Sequence, residues 1–210
     1  MLDDKYSEFE KFIADNKGKR KFKQTVEVAM NFTGVDFAKQ DNRLNVEVLL
    51  PYNKGSSVKI AVFATDKAVI EEANRNGAEV IDGNSLTALA TDRQKLQSLL
   101  AYTLLAQPSL MPNIARSLGQ FLGPRNKMPK PLVPGSMQKA VTESARAITI
   151  KNRGKFLPTV QCVVGSEDMA PKEIFANIKE VISGVSGKVG QGHMKSVYVK
   201  LTMSPPLKLM

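Results

Sequence analysis

Cysteine, histidine and tryptophan are nearly missing from this chain of 210 residues, which holds one Cys, one His and no Trp. A single cysteine excludes an intramolecular disulfide and leaves a thiolate zinc site without partners. Cys162 lies in the apolar run Val160-Gln161-Cys162-Val163-Val164, where a small buried strand residue is expected. His193 follows Gly192 and has no companions for a metal site or a histidine-based triad, so neither a metal nor a cofactor is expected. No apolar stretch approaches the roughly 20 residues of a membrane span. The first residues carry Asp3 and Asp4 rather than the apolar segment of a signal peptide, which points to a cytosolic protein without a membrane partner.

Phosphate-binding loops are lacking as well. After the run Ile60 to Ala64 the turn reads Thr65-Asp66-Lys67, with no glycine to let the backbone approach a pyrophosphate. No Walker-type glycine loop ending in Lys-Ser/Thr occurs. The glycine-rich stretch Gly184 to Gly192 follows a helical pattern and precedes a strand, the wrong context for phosphate capture, and reads as a flexible connection. Glu71 and Glu72 sit in a helical pattern beside Arg75, where a surface role is expected. No catalytic set emerges.

Acids are the other scarce class. Twenty Asp and Glu face thirty Lys and Arg, a formal charge of +10 and a pI near 9.7. Such an excess attracts polyanions, and nucleic acid is the first partner to consider. The remaining composition, 42% hydrophobic and 24% charged, fits a globular protein with enough chain for one large or two modest domains.

The hydrophobic pattern favours two. Tyr6, Phe9, Phe12 and Ile13 recur at helical spacing between Asp3 and Asn16. From Gln24 to Phe32, Val26, Val28, Met30 and Phe32 alternate with Thr25, Glu27, Ala29 and Asn31, and Arg43 to Leu50 reads as a second strand stopped by Pro51. Beyond Pro51 to Ser57, short apolar runs (Ile60 to Ala64, Val80-Ile81, Tyr102 to Leu105) alternate with helical patterns (Asp66 to Asn76, Asp92 to Leu100, Leu110 to Leu122). That alternation implies βαβ units and a parallel sheet. A helix from Met137 to Ala147 leads to Ile148 to Lys151, and a second hinge-like stretch follows at Asn152 to Lys155. A strand near Leu157 to Val164, a helix from Pro171 to Ser183 and an alternating strand from Lys195 to Thr202 complete the pattern. The expected fold is therefore α/β with two domains. A discontinuous α+β domain, 1–57 and 152–210, would carry an inserted Rossmann-like domain, 58–151.

Each proposed domain has a net charge of +5, so charge does not choose between them. Its local distribution says more. Lys17, Lys19, Arg20, Lys21 and Lys23 cluster around Phe22; residues 181–210 hold no acid; Arg125, Lys127 and Lys130 occupy a proline-punctuated segment.

Three stretches in order along the chain carry a resemblance. They are Lys21 to Val28 followed by Asn31-Phe32 and Asp41 to Leu44; Leu110-Met111-Pro112 with Leu122 to Pro131; and Ser196 to Met203. Together they resemble the ribosomal L-one family in its archaeal form. The resemblance implies a structural protein of the large subunit, monomeric outside the ribosome, that binds an rRNA junction to form the mobile stalk near the tRNA exit site. It implies help in releasing deacylated tRNA, and repression of translation through the protein's own mRNA. The family's RNA contacts map onto Lys21, Phe22, Thr25, Glu27, Ser196, Lys200, Thr202, Met203 and position 204. There the family's usual glycine is Ser204, whose β-carbon would limit close approach. Arg125, Lys127 and Lys130 are candidates for tRNA contact or for setting interdomain opening. Parity supports the transfer independently: Thr25 and Glu27 share one strand face, as do Ser196, Lys200 and Thr202. The competing reading is an α/β enzyme acting on a phosphorylated small molecule.

Overall fold

The structure, a computed structural model, describes residues 2–55, 58–133, 135–152 and 156–210. Ser56, Ser57 and Arg153 to Lys155, parts of the two hinge-like stretches, lie outside the described residues. The chain divides into two compact units, 1–56 with 146–210 and 57–145. In order, the first segment carries α1 (Tyr6–Asn16), β1 (Thr25–Phe32) and β2 (Asn45–Leu49). The second unit carries β3 (Ile60–Ala64), α2 (Lys67–Arg75), β4 (Glu79–Asp82), α3 (Leu86–Thr91) and α4 (Arg93–Leu99). It continues with β5 (Thr103–Ala106), α5 (Met111–Leu122), β6 (Lys130–Pro131) and α6 (Met137–Arg146). The first unit resumes with β7 (Ala147–Lys151), β8 (Thr159–Ser166), α7 (Pro171–Val189), β9 (Met194–Leu201) and β10 (Leu207–Lys208).

In the first unit β1 is central in an antiparallel sheet of order β10-β9-β1-β8. Its burial alternates residue by residue, as a strand with one face on a core requires. Val26, Val28, Met30 and Phe32 join Val197, Val199 and Leu201 of β9 beneath α1 and α7, with Phe9, Ile13, Ile174, Phe175 and Ile178. Strand β2 does not enter this sheet. It pairs antiparallel with β7.

That pairing corrects the expected boundary. The expected inserted domain includes residues 148–151, yet Ile148 and Ile150 bury into the first unit's core opposite Val48 and Val46. Asn152, expected at a hinge, is buried, and its side chain accepts from Leu44 N at 2.8 Å. Moving the boundary transfers Arg146 and Lys151, so the first unit carries +7 and the second +3.

The glycine-rich connection is also revised. Helix α7 runs through Gly184 and Gly187 to Val189 and ends at Gly190, whose φ is 92°. A Cβ on Gly184 would stand 2.8 Å from Val48 Cγ2, so the missing side chain lets the helix lie close on β2. Packing here outweighs the cost of about 1 kcal/mol for a glycine inside a helix.

The second unit has an all-parallel sheet of order β4-β3-β5-β6. Ile60 to Ala64 is buried throughout, with helices supplying both covering layers. Glu72, expected in a surface role, accepts from Gly135 N and Met137 N at 3.0 Å each and caps α6.

Candidate nucleic-acid interface

The outward face of the first unit's sheet is set by the β1 registers. Lys200, Glu27 and Val163 form one row, and Ser196, Asn31 and Thr159 form another. Between them lies Lys208, Tyr198, Ala29 and Gln161. Ordinary alternation keeps Val163 on this face and turns Val164 into the core, and a bulge just beyond sets Gly165 rather than Val164 opposite Val26. The candidate residues of β1 and β9 thus stand on neighbouring strands.

One end of the face is stitched by Thr25 and Thr202. Thr202 Oγ1 accepts from Thr25 N at 3.1 Å, and Thr202 N donates to Thr25 O at 3.1 Å. Just beyond, Gln24 is buried between the basic loop and the turn after β9. Its Nε2 donates to Asn16 O and to Glu167 Oε2, both at 3.1 Å, and its Oε1 accepts from Met203 N at 3.1 Å. Glu167, also buried, accepts from Gly18 N at 3.4 Å. Two polar side chains therefore hold both segments that reach past the sheet. Phe22 (49% exposed) and Met203 (56% exposed) project from those segments. Both side chains stand outside the core, beyond the end of the sheet.

Among the loop cations, Lys23 is paired with Asp168 at 2.7 Å. The hydrogen bond between them holds the Asp168 carboxyl below its ordinary value and raises Lys23. Lys21 is exposed. Lys200 is the cross-strand neighbour of Glu27, but no ion pair joins them among the described residues. Ser196 is more enclosed than strand parity suggests, because its hydroxyl accepts from Asn31 Nδ2 at 3.0 Å and it is buried.

Ser204 has an ordinary backbone and does not use the left-handed region in which glycine excels. Its Oγ accepts from Leu201 N at 2.9 Å and donates to Pro205 O at 2.9 Å, closing the turn that presents Met203. Serine therefore serves this turn.

Beside the sheet, at the β8 edge, a hollow of about 370 Å³ is bounded by Glu27, Lys54, Thr149, Gln161, Cys162 and Val163. Lys54 Nζ donates to Ala147 O at 2.9 Å. Burial, with a smaller contribution from the Glu27 charge, pushes the Cys162 thiol up to about 12. His193 is exposed, with Nδ1 3.1 Å from Thr33 O.

In the second unit the basic trio does not form one loop cluster. Arg125 lies over the Phe121 ring, 4.1 Å from its centroid. Lys127 Nζ donates to Tyr102 O at 3.1 Å, and Lys130 belongs to β6 rather than to a loop.

Sequence reasoning left out Gln24, Glu167, Asn31, Gln161, Tyr198 and Lys208. Asn31 and Tyr198 carried a parity signal on β1 and β9. Lys208 carried none, because a two-residue strand has no period to detect.

The family model described as "Ribosomal protein L1p/L10e family" matches residues 7–205. The chain belongs to the ribosomal protein L1p/L10e family. A protein from Pyrococcus abyssi named "Large ribosomal subunit protein uL1" is 42% identical over 196 residues, covering 90% of this chain and 88% of the relative. Proteins of the same name from Thermococcus kodakarensis and Thermoplasma acidophilum are 41% and 36% identical. They cover 90% and 94% of this chain, and 89% and 92% of their own lengths. The family match takes in both units and every candidate residue from Lys21 to Ser204, while Lys208 falls outside it.

Proposed function

We propose that this member of the L1p/L10e family is a structural component of the large ribosomal subunit. It binds large-subunit rRNA through the outward sheet face of the first unit. The observation that carries the reading is the joined end of that face. Thr25 and Thr202 are locked together, while Gln24 ties the basic loop with Phe22 to the turn with Met203. Lys21 and Lys200 supply salt-sensitive attraction to phosphate, and exposed Phe22 and Met203 offer apolar area to ribose or base. Glu27 repels phosphate and therefore serves for recognition, accepting hydrogen bonds from a 2′-hydroxyl or a base amino group.

The finer parts of the proposal follow the family resemblance. The bound rRNA forms the mobile stalk near the tRNA exit site, and the protein assists release of deacylated tRNA and acts in the cytoplasm on ribosomes. The same face binds a similar element in the protein's own mRNA and represses its translation. Arg125, exposed on the second unit, is the first candidate for tRNA contact among the three basic residues.

The enzyme reading has little support. In open parallel sheets small ligands enter beyond the strand ends where the strand order reverses, here beside β3 and β5. At that point Gln107 Oε1 accepts from Thr65 N at 3.2 Å, and Leu110 packs so closely that a Cβ on Gly83 would meet it at 2.7 Å.

Binding to an rRNA stalk fragment across a salt series, beside unrelated duplex RNA, tests the proposal. Selective binding with a steep salt slope is expected, and Lys21→Ala with Lys200→Ala should flatten the slope by roughly one unit for each phosphate left without its lysine. Equal weak binding to both RNAs would refute it.

A further inference from the structure

We infer that the hollow at the β8 edge is a guanine site, in which an unstacked guanine of the bound RNA presents its Watson–Crick edge to Glu27. The inference rests on the RNA-binding reading and assigns a base to a place on it. Glu27 makes no hydrogen bond or ion pair among the described residues, although it is half-buried and faces Lys200 across the strands. A half-buried carboxylate gains most from donors that arrive with a ligand.

The volume, about 370 Å³, lies in the range of roughly 300–1,000 Å³ typical of small-ligand sites. Cys162 and Val163 give it an apolar wall suited to the face of a ring. Its thiol, kept neutral by burial, adds no charge there. Lys54, Gln161 and Thr149 line the hollow with donors.

The choice of guanine follows from the donor pattern. A carboxylate accepts best from two adjacent N–H groups, as in bidentate charge-assisted pairs. Guanine offers N1–H and the 2-amino group side by side. Adenine and cytosine set a ring acceptor next to their amino group, and uracil sets a carbonyl on either side of its N–H, so each of these brings a lone pair against the carboxylate. Guanine O6 would then accept from a donor of Lys54 or Gln161. Single-stranded and bulged RNA supplies such splayed bases, which proteins read on this edge.

The test is a coupling experiment on the stalk fragment. Each guanosine is replaced in turn by inosine, which lacks only the 2-amino group, and binding is measured for the natural protein and for Glu27→Gln. At one guanosine, inosine should weaken the natural protein roughly tenfold and the variant by less than about twofold. Thr149→Phe, which fills the hollow from an exposed wall, should erase sensitivity at that same guanosine. The idea is overturned if no inosine position couples to Glu27, or if a 2′-deoxy substitution couples in its place. In either case retained preference for the stalk fragment over duplex RNA leaves the RNA-binding reading standing. Loss of that preference in the natural protein would refute the RNA-binding reading itself.

Discussion

The hydroxyl oxygens of Thr25 and Thr202, 177 positions apart in the chain, lie 3.1 Å from one another. Each residue also engages the other's backbone, so the pair sets how the start of β1 meets the end of β9. Thr202→Val keeps the shape and removes the acceptor for Thr25 N. A loss of about 1 kcal/mol in unfolding free energy is expected, read from denaturant midpoints. Affinity for the stalk fragment should fall in the same variant, since the turn beyond position 202 loses its anchor.

Gln24→Leu removes three hydrogen bonds at once and leaves the buried Glu167 carboxylate short of a donor. Destabilisation of about 2–3 kcal/mol is expected from thermal unfolding. Stalk-fragment binding should weaken even below the melting transition, because the basic loop and the Met203 turn are no longer joined. Lys23→Ala, which breaks only an exposed ion pair, should leave the melting temperature nearly unchanged.

Ser204→Gly restores the residue usual in the family. The backbone at this position does not need glycine, and the substitution deletes the acceptor for Leu201 N. Stability should drop by about 1 kcal/mol through added chain freedom and the lost bond. Affinity for the stalk fragment, measured under conditions where both proteins are folded, should be unchanged or higher. A large loss of affinity would show that the hydroxyl touches RNA.

Lys127 and Arg125 should separate in mutagenesis. Lys127→Met removes a bond to Tyr102 O and should lower the melting temperature. Arg125→Gln removes only exposed contacts with Phe121 and should cost no more than about 1 kcal/mol of stability while reducing tRNA-linked function. Neither should alter binding to the rRNA fragment, which a filter-binding assay checks.

Much of this arrangement can be read from the residues. Alternation in Thr25 to Phe32 and Lys195 to Leu201 identifies both strands and the faces they bury, because a period of two is a local signal. The parallel sheet of the second unit is legible from its repeated apolar runs. The partner of Ile148 and Ile150 is not, since β2 lies about a hundred positions away and nothing local names it. Gly184 and Gly187 mislead for a related reason. Their low helix propensity is a local property, whereas the close approach of Val48 that favours glycine at position 184 is tertiary. At the candidate interface, the exposed members are visible as types. Gln24 and Glu167, which position them, are not, because a buried polar pair shows no pattern until its two segments meet.

The central place of β1 has a consequence for biosynthesis. Both of its neighbours, β8 and β9, follow residue 158, so the strand emerges from the ribosome long before anything can pair with it. Residues 57–145 form a unit of their own and can fold during that interval, whereas the sheet must wait for contacts of very large sequence separation. A nascent chain that has not yet delivered Thr202 lacks the proposed RNA surface. On the proposed function, only polypeptides whose synthesis has passed the last long strand could then enter assembly or silence their own message.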